Sequence, residues 1–349
     1  ARQEMRENRT LPWVFHEYWL RDMAFTNGPE ALVTEAPAGT GPVTHLFFPG
    51  CQLGASDPRY TLESYAYLCK NLPRVAISTA CCGAPADWAG DKPGHEKVIA
   101  FLRNTWEQLG KPKLIFACPT CEKMFHRYLP DLAGESIYEV MAREGVEVNS
   151  PGETVSVFDA CASREDAALQ QGVRDVLAGG GYELSPLPYE RDYAQCCSYG
   201  GHVSIANPDY ARQVAKVRVE QSPWPYVVYC ANCRDVFRAA GKRALHLLDA
   251  VFELDGGDRP PPTPGARRDN RRRLKKELLR FFGKEEPMEQ DSGIRLILSD
   301  ALRDKLAADL LLEEDVARVI GEKERSGETL IDGQGRTIAH GRAGNITLW

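Results

Sequence analysis

The chain has 349 residues, of which 43% are hydrophobic and 26% charged, and a formal net charge of −6. This is close to average globular composition, which excludes a fibrous or wholly disordered chain, and the length suits two ordinary domains with a small further unit. The acidic balance argues against a general nucleic-acid or anionic-membrane binder, and no apolar run reaches the roughly 20 residues of a spanning helix.

Taken in chain order, residues 1–30 place Trp13, Phe15, Tyr18, Trp19, Met23 and Phe25 on the aromatic stripe of a helix packed against the main body. Short apolar, β-branched or aromatic runs follow at Val43 to Phe48, Val75 to Ser78, Leu114 to Ala117, Val155 to Phe158 and Tyr226 to Tyr229, and read as buried strands. Between them, Tyr60 to Lys70, Pro93 to Leu109, Arg164 to Leu177 and Pro208 to Glu220 repeat apolar residues at helical spacing. Alternation of strand and helix predicts an α/β fold with parallel sheets and right-handed crossovers. The Gly and Pro residues from 255 to 264 read as a linker. Beyond it, Arg267, Arg268, Arg271, Arg272, Arg273, Lys275, Lys276 and Arg280 form a basic helix, read as a solvated face, with docking of an acidic redox partner or nucleic acid as the alternative. A leucine-rich helix from Asp300 to Arg325 and a hairpin through the turn at 333–335 close the chain. The resulting division is 1–42, a helical extension; 43–150 and 151–254, two related α/β halves; 255–290, linker and basic helix; and 291–349, a small helix-plus-hairpin unit.

Eleven cysteines are unusual for such a chain. No secretory signal opens the sequence, so a cytoplasmic setting is expected, and there an odd number points to metal ligation or thiol chemistry rather than a disulfide framework. Ten of them fall into two matching sets: Cys51, Cys81, Cys82, Cys118, Cys121 and Cys161, Cys196, Cys197, Cys230, Cys233. Cys161 follows Cys51 by 110 residues, Cys196 follows Cys81 by 115 and Cys230 follows Cys118 by 112, an internal duplication. Each group ends a predicted strand, where open α/β sheets form their binding crevice and helix amino termini favour thiolate charge. Structural zinc takes four ligands, usually from two separated pairs, and a cubane [4Fe–4S] cluster takes one thiolate per iron, so five cysteines exceed both. Either one thiol per set is spare and reactive, or an opened cluster lets a thiolate bridge two irons. Cys69, inside a helical run, reads as a packed hydrophobe. His202 is the histidine nearest a cysteine pair and reads as packed or surface rather than ligating.

The pattern Phe47-Phe48-Pro49-Gly50-Cys51, Cys81-Cys82-Gly83, Cys118-x-x-Cys121, with its second copy, resembles the paired cysteine-rich CCG domains of the catalytic subunit of heterodisulfide reductase and related anaerobic electron-transfer subunits. The resemblance covers roughly residues 43–253. It implies two tandem pseudo-symmetric CCG domains with Rossmann-like parallel sheets. It also implies two noncubane [4Fe–4S] clusters, one held by Cys51, Cys81, Cys82, Cys118 and Cys121, the other by Cys161, Cys196, Cys197, Cys230 and Cys233. The chemistry would centre on the clusters at Cys51, Cys81, Cys82, Cys161, Cys196 and Cys197. Gly50 and Gly83, and in the second copy Gly200 and Gly201, would lie close to them, although a turn glycine is the plainer reading. The second copy departs from the pattern at Ser198, where glycine is usual, and at Phe158, near where histidine is common. The implied function is that of an iron–sulfur subunit that reduces or forms a disulfide with electrons from a flavoprotein or ferredoxin-like partner, in a complex compatible with membrane association. An electron relay without its own substrate and a zinc-stabilised scaffold are the competing readings.

Overall fold

The structure is a computed structural model and describes every residue except 1, 9, 11–13, 40, 133, 149–151, 255–257, 286–293, 345 and 349. Trp13 of the expected stripe, the side chain of Phe15, the Asp255-Gly256-Gly257 turn and Trp349 lie outside the described part.

Helices α1 (Arg2–Glu7) and α2 (Val14–Thr26) and strand β1 (Thr34–Glu35) lead into the first α/β half. It runs β2 (His45–Phe48), α3 (Cys51–Ser56), α4 (Pro58–Asn71), β3 (Val75–Ser78), α5 (Ala84–Ala89), α6 (Lys92–Gln108), β4 (Lys113–Phe116), α7 (Pro119–Tyr128), β5 (Gly134–Ser136) and α8 (Ile137–Glu144). The parallel order is β3-β2-β4-β5, with β1 antiparallel on the β3 edge. The second half runs β6 (Thr154–Val157), α9 (Ala167–Gly179), β7 (Glu183–Leu184), α10 (Val203–Ala206), α11 (Pro208–Val219), β8 (Tyr226–Val228), α12 (Ala231–Ala239), β9 (Ala244–His246) and α13 (Leu247–Val251). Its all-parallel order, β7-β6-β8-β9, repeats that of the first half strand for strand. The fold is therefore α/β, with each crossover carried by a helix as the alternating pattern requires.

Local sequence explains the boundaries. The Asp57, Asp91 and Asn207 side chains accept the backbone N–H groups of Arg59, Gly94 and Tyr210 and start α4, α6 and α11, each with proline in its first turn. Ser136 with Glu139 and His246 with Asp249 form equivalent capping boxes at α8 and α13, 110 residues apart. One hydrophobic core runs through both halves: Phe47, Ile77, Ile115 and Tyr138 of the first are continuous with Val155, Phe158, Tyr226 and Phe237 of the second. Helices α8 and α9 meet at Gly172, where a Cβ would lie 3.0 Å from the Tyr138 carbonyl oxygen.

The end of the chain differs from the expected single helix. After α14 (Pro264–Phe281), α15 (Asp300–Ala308) stops before Leu310, whose φ is +55°, and α16 (Glu313–Ser326) begins after Leu312. The break lets Leu312 bury itself against Tyr18 and Trp19 of α2, which a straight helix would not permit. Two small antiparallel ribbons follow, β10 (Leu330–Ile331) with β11 (Thr337–Ile338) and β12 (Gly341–Ala343) with β13 (Ile346–Leu348). Among the described residues no helix is long and apolar enough to cross a membrane.

Candidate metal centre

All eleven cysteines are free thiols. In the first half Cys51 opens α3 after β2, Cys81 and Cys82 follow β3, Cys118 follows β4, and Cys121 lies in the first turn of α7. Their thiols act on one another as neighbours in the order Cys51, Cys81, Cys82, Cys121, Cys118. The second half repeats it at the equivalent positions, Cys161, Cys196, Cys197, Cys233, Cys230, with 3.2 Å between the Cys233 and Cys197 Sγ atoms. Cys69 takes part in neither chain and packs beside the first-half core.

The repeated crossover explains the convergence. Strand ends lie side by side, so cysteines some 30 residues apart arrive at one crevice. Cys118 and Cys230 are N-cap residues of α7 and α12, where the helix dipole favours a thiolate. Within each chain the adjacent pair holds the most acidic thiol. Hydrogen bonds from Cys121 and then Cys81 bring Cys82 down to about 6. Bonds from Cys161 and Cys197, with the backbone N–H of Ser198, lower Cys196 strongly. The donors pay in the opposite direction: Cys51 is pushed up by its bond to Cys81, and Cys161 by its bond to Cys196.

Gly50 has φ +82° and ψ +147°, a conformation essentially restricted to glycine, and its missing side chain faces the thiols. A Cβ there would lie 2.8 Å from the Cys118 Cβ and 2.9 Å from the Cys121 Sγ. Gly50→Ala is expected to destabilise the first half by about 1–3 kcal/mol, read by urea denaturation, and to lower metal uptake at the first set. Gly83 is a left-handed turn residue whose open side faces His95 and Val98 rather than sulfur. Ser198, the departure from the second copy's expected glycine, keeps that backbone shape: φ is +82° against +86° at Gly83. Its hydroxyl donates to the Ala211 carbonyl, which offsets the strain of a left-handed L-residue. Gly201 also has positive φ, and the Gly200 backbone N–H is among the groups that lower the Cys196 thiol, while a Cβ on Gly200 would meet nothing nearer than the Trp88 ring at 3.8 Å.

The basic helix is the main correction to the sequence reading. Arg267, Arg268 and Arg271 of α14 are buried, in phase with Leu274 and Leu278, and so are withdrawn from any docking partner. Arg271 holds Asp22 with both terminal nitrogens, at 2.6 and 2.8 Å, while its Nε donates to the Cys51 carbonyl at 3.1 Å. Arg267 donates to Gln52 and Asp235, and Ser56 also donates to Asp235, so α14 ties the first cysteine loop to α12 of the second half. The spacing of arginines at 267 and 271 with leucines at 274 and 278 was the available signal for an inward face. His202 is buried between Trp19, Trp88 and His16, its Nδ1 2.6 Å from the His16 Nδ1, and burial lowers it to about 3. Tyr138, which the sequence did not single out, spans both halves: its hydroxyl lies 3.2 Å from the Ala117 carbonyl and 3.4 Å from that of Tyr229, one residue before Cys118 and Cys230.

Among the described residues, no three or more His, Cys, Asp or Glu side chains are arranged around a single ion. Ten soft thiols in two contiguous five-member chains, with an open glycine face and an arginine at the Cys51 carbonyl, are a donor set suited to polynuclear iron–sulfur binding. The thiols gather at the strand ends of two parallel sheets. Residues 45–126, which contain Cys69 and all five cysteines of the first set, match the model of the cysteine-rich domain family CCG. The EtfAB:quinone oxidoreductase of Syntrophomonas wolfei subsp. wolfei is 20% identical over 205 residues, 54% of this chain and 28% of that protein, so the chain spans under a third of the relative's length. Picrophilus torridus aspartate racemase, a solved structure, aligns at 12% identity over 63% of this chain and 100% of its own, with a TM-score of 0.26, too low to support a fold argument.

Proposed function

We propose that the chain is an iron–sulfur subunit of a cytoplasmic oxidoreductase complex. In this reading Cys51, Cys81, Cys82, Cys118 and Cys121 hold one noncubane [4Fe–4S] cluster, and Cys161, Cys196, Cys197, Cys230 and Cys233 hold the other. The observation that carries it is the identical order of thiol contacts in the two five-cysteine sets. The match to the cysteine-rich domain and the oxidoreductase named among its relatives support the same class. Bound clusters would supply one-electron chemistry, and reduction of a disulfide consumes two electrons and two protons. The electrons would come from a flavoprotein or ferredoxin-like partner, since the sequence shows no flavin or nucleotide fingerprint.

Anaerobically loaded protein should carry about eight irons with matching sulfide. A preparation that takes up zinc alone would eliminate this reading in favour of a scaffold. A second reading is an electron relay without its own substrate. Adding candidate thiols to the oxidised protein separates the two: a substrate-dependent paramagnetic signal supports disulfide chemistry, and its absence supports the relay.

A further inference from the structure

A cleft of about 830 Å³ opens on the first half between α1, α5, α6 and the end of α7. That volume lies within the range of small-molecule sites. Its floor is aromatic: the His95 and Tyr128 rings meet edge to face with centroids 4.4 Å apart. Its rim is cationic on balance: Arg2, Lys92, Arg103 and Arg127 face three carboxylates, Asp87, Asp91 and Glu96, the last 3.8 Å from Lys92. Asp91 caps α6 and pairs with Arg6 at 2.6 Å, and Asp87 accepts the Tyr128 hydroxyl. Arg2 gives one nitrogen to the Trp88 carbonyl, and Arg127 lies over the Tyr128 ring at 5.0 Å, so both retain N–H donors for an incoming anion.

The cleft also adjoins the first cysteine pair. His95 is 8% exposed, and its buried Nε2 has no hydrogen-bond partner. The Cδ2 edge of the same ring lies 3.1 Å from where a Cβ on Gly83 would stand, and Gly83 directly follows Cys82. One imidazole ring therefore forms the partition between the cleft and the Cys81-Cys82-Gly83 turn. A buried ring nitrogen without a partner is unfavourable in a purely structural wall.

We propose that this cleft binds a planar aromatic ligand of mononucleotide size that carries a phosphate-like anion, with the ring on Tyr128 and His95 and the anion on Arg2 and Arg127. Arginine and phosphate make paired charge-assisted bonds, and a planar ring suits an aromatic floor. A redox-active ring held there would stand one side chain from the first cysteine set. That electron-carrying role rests on the proposed function, whereas binding itself does not.

The test is titration of the full chain with flavin mononucleotide, read by quenching of flavin fluorescence and checked by equilibrium dialysis. Riboflavin and inorganic phosphate serve as the ring-only and anion-only arms. Saturable binding is expected for the mononucleotide, weakened about tenfold or more by Arg127→Glu and, in the intact chain, by removal of the phosphate. Arg2→Glu, on the exposed short helix α1, repeats the charge test should the first variant fold poorly. Absence of saturable binding, or equal affinity in the folded charge-reversed variants, overturns the proposal. Iron and sulfide content are measured on the same samples. A flavin result of either sign with about eight irons leaves the cluster reading standing, and flavin binding without iron separates the two ideas the other way.

Discussion

Replacing Cys82 and Cys121 together with serine is expected to halve the iron of the loaded chain, from about eight to about four, with sulfide falling in step. The two residues are neighbours in the first thiol set, and Cys82 is the thiol there most ready to ionise. The second chain contains no residue of the first, so its metal content and paramagnetic signal should persist. The mirror experiment at Cys197 and Cys233, whose sulfurs lie 3.2 Å apart, should remove the other half. Hydroxyl oxygen is a harder donor than thiolate and a poor iron–sulfur ligand, while its size disturbs the buried packing little. Loss of all iron from a double variant whose circular dichroism matches that of the unchanged chain would sink the idea of two independent centres.

The largest stability effect is expected at Asp22. This carboxylate is 2% exposed and held by both nitrogens of Arg271, with Arg268 and Arg267 nearby. Removing it by Asp22→Ala leaves a buried guanidinium without its counter-charge, a loss of about 3–5 kcal/mol. Urea denaturation at neutral pH reads it directly. The double variant Asp22→Leu, Arg271→Met should recover much of that loss, because two apolar side chains replace the pair without a stranded charge. The pH dependence follows in sign. Burial alone would raise the Asp22 carboxyl, but the charge and hydrogen bonds of Arg271 outweigh it and hold the carboxyl below its ordinary value. Its contribution is therefore complete above the unfolded value near 4 and is lost as the pH falls through the lower folded value. A variant with unchanged stability at neutral pH would show that the pair carries little.

The consequence reaches the thiols, because the same Arg271 side chain donates to the Cys51 carbonyl. Helices α2 and α14 both lie outside residues 45–126, the segment that matches the cysteine-rich domain. They nevertheless supply the ion pair that braces the first cysteine loop.

Short-range pattern in the sequence determined a great deal. Periodicity located β2, β3, β4, β6 and β8 to within one or two residues, and regular spacing exposed the duplicated cysteines, because strand burial and strand-end delivery are repeated local events. Tertiary structure alone decided which charges turn inward. Arg271 and Asp22 are 249 residues apart, so eight basic residues in one helix looked like a solvated face until distant carboxylates were folded against four of them, Arg267, Arg268, Arg271 and Arg272, and the first three were buried. It also decided that the helix expected over 300–325 breaks to bury Leu312, that His202 meets His16, and that a cleft forms behind His95. Each depends on a partner from a remote element, and burial free energy is set by that partner rather than by sequence neighbours.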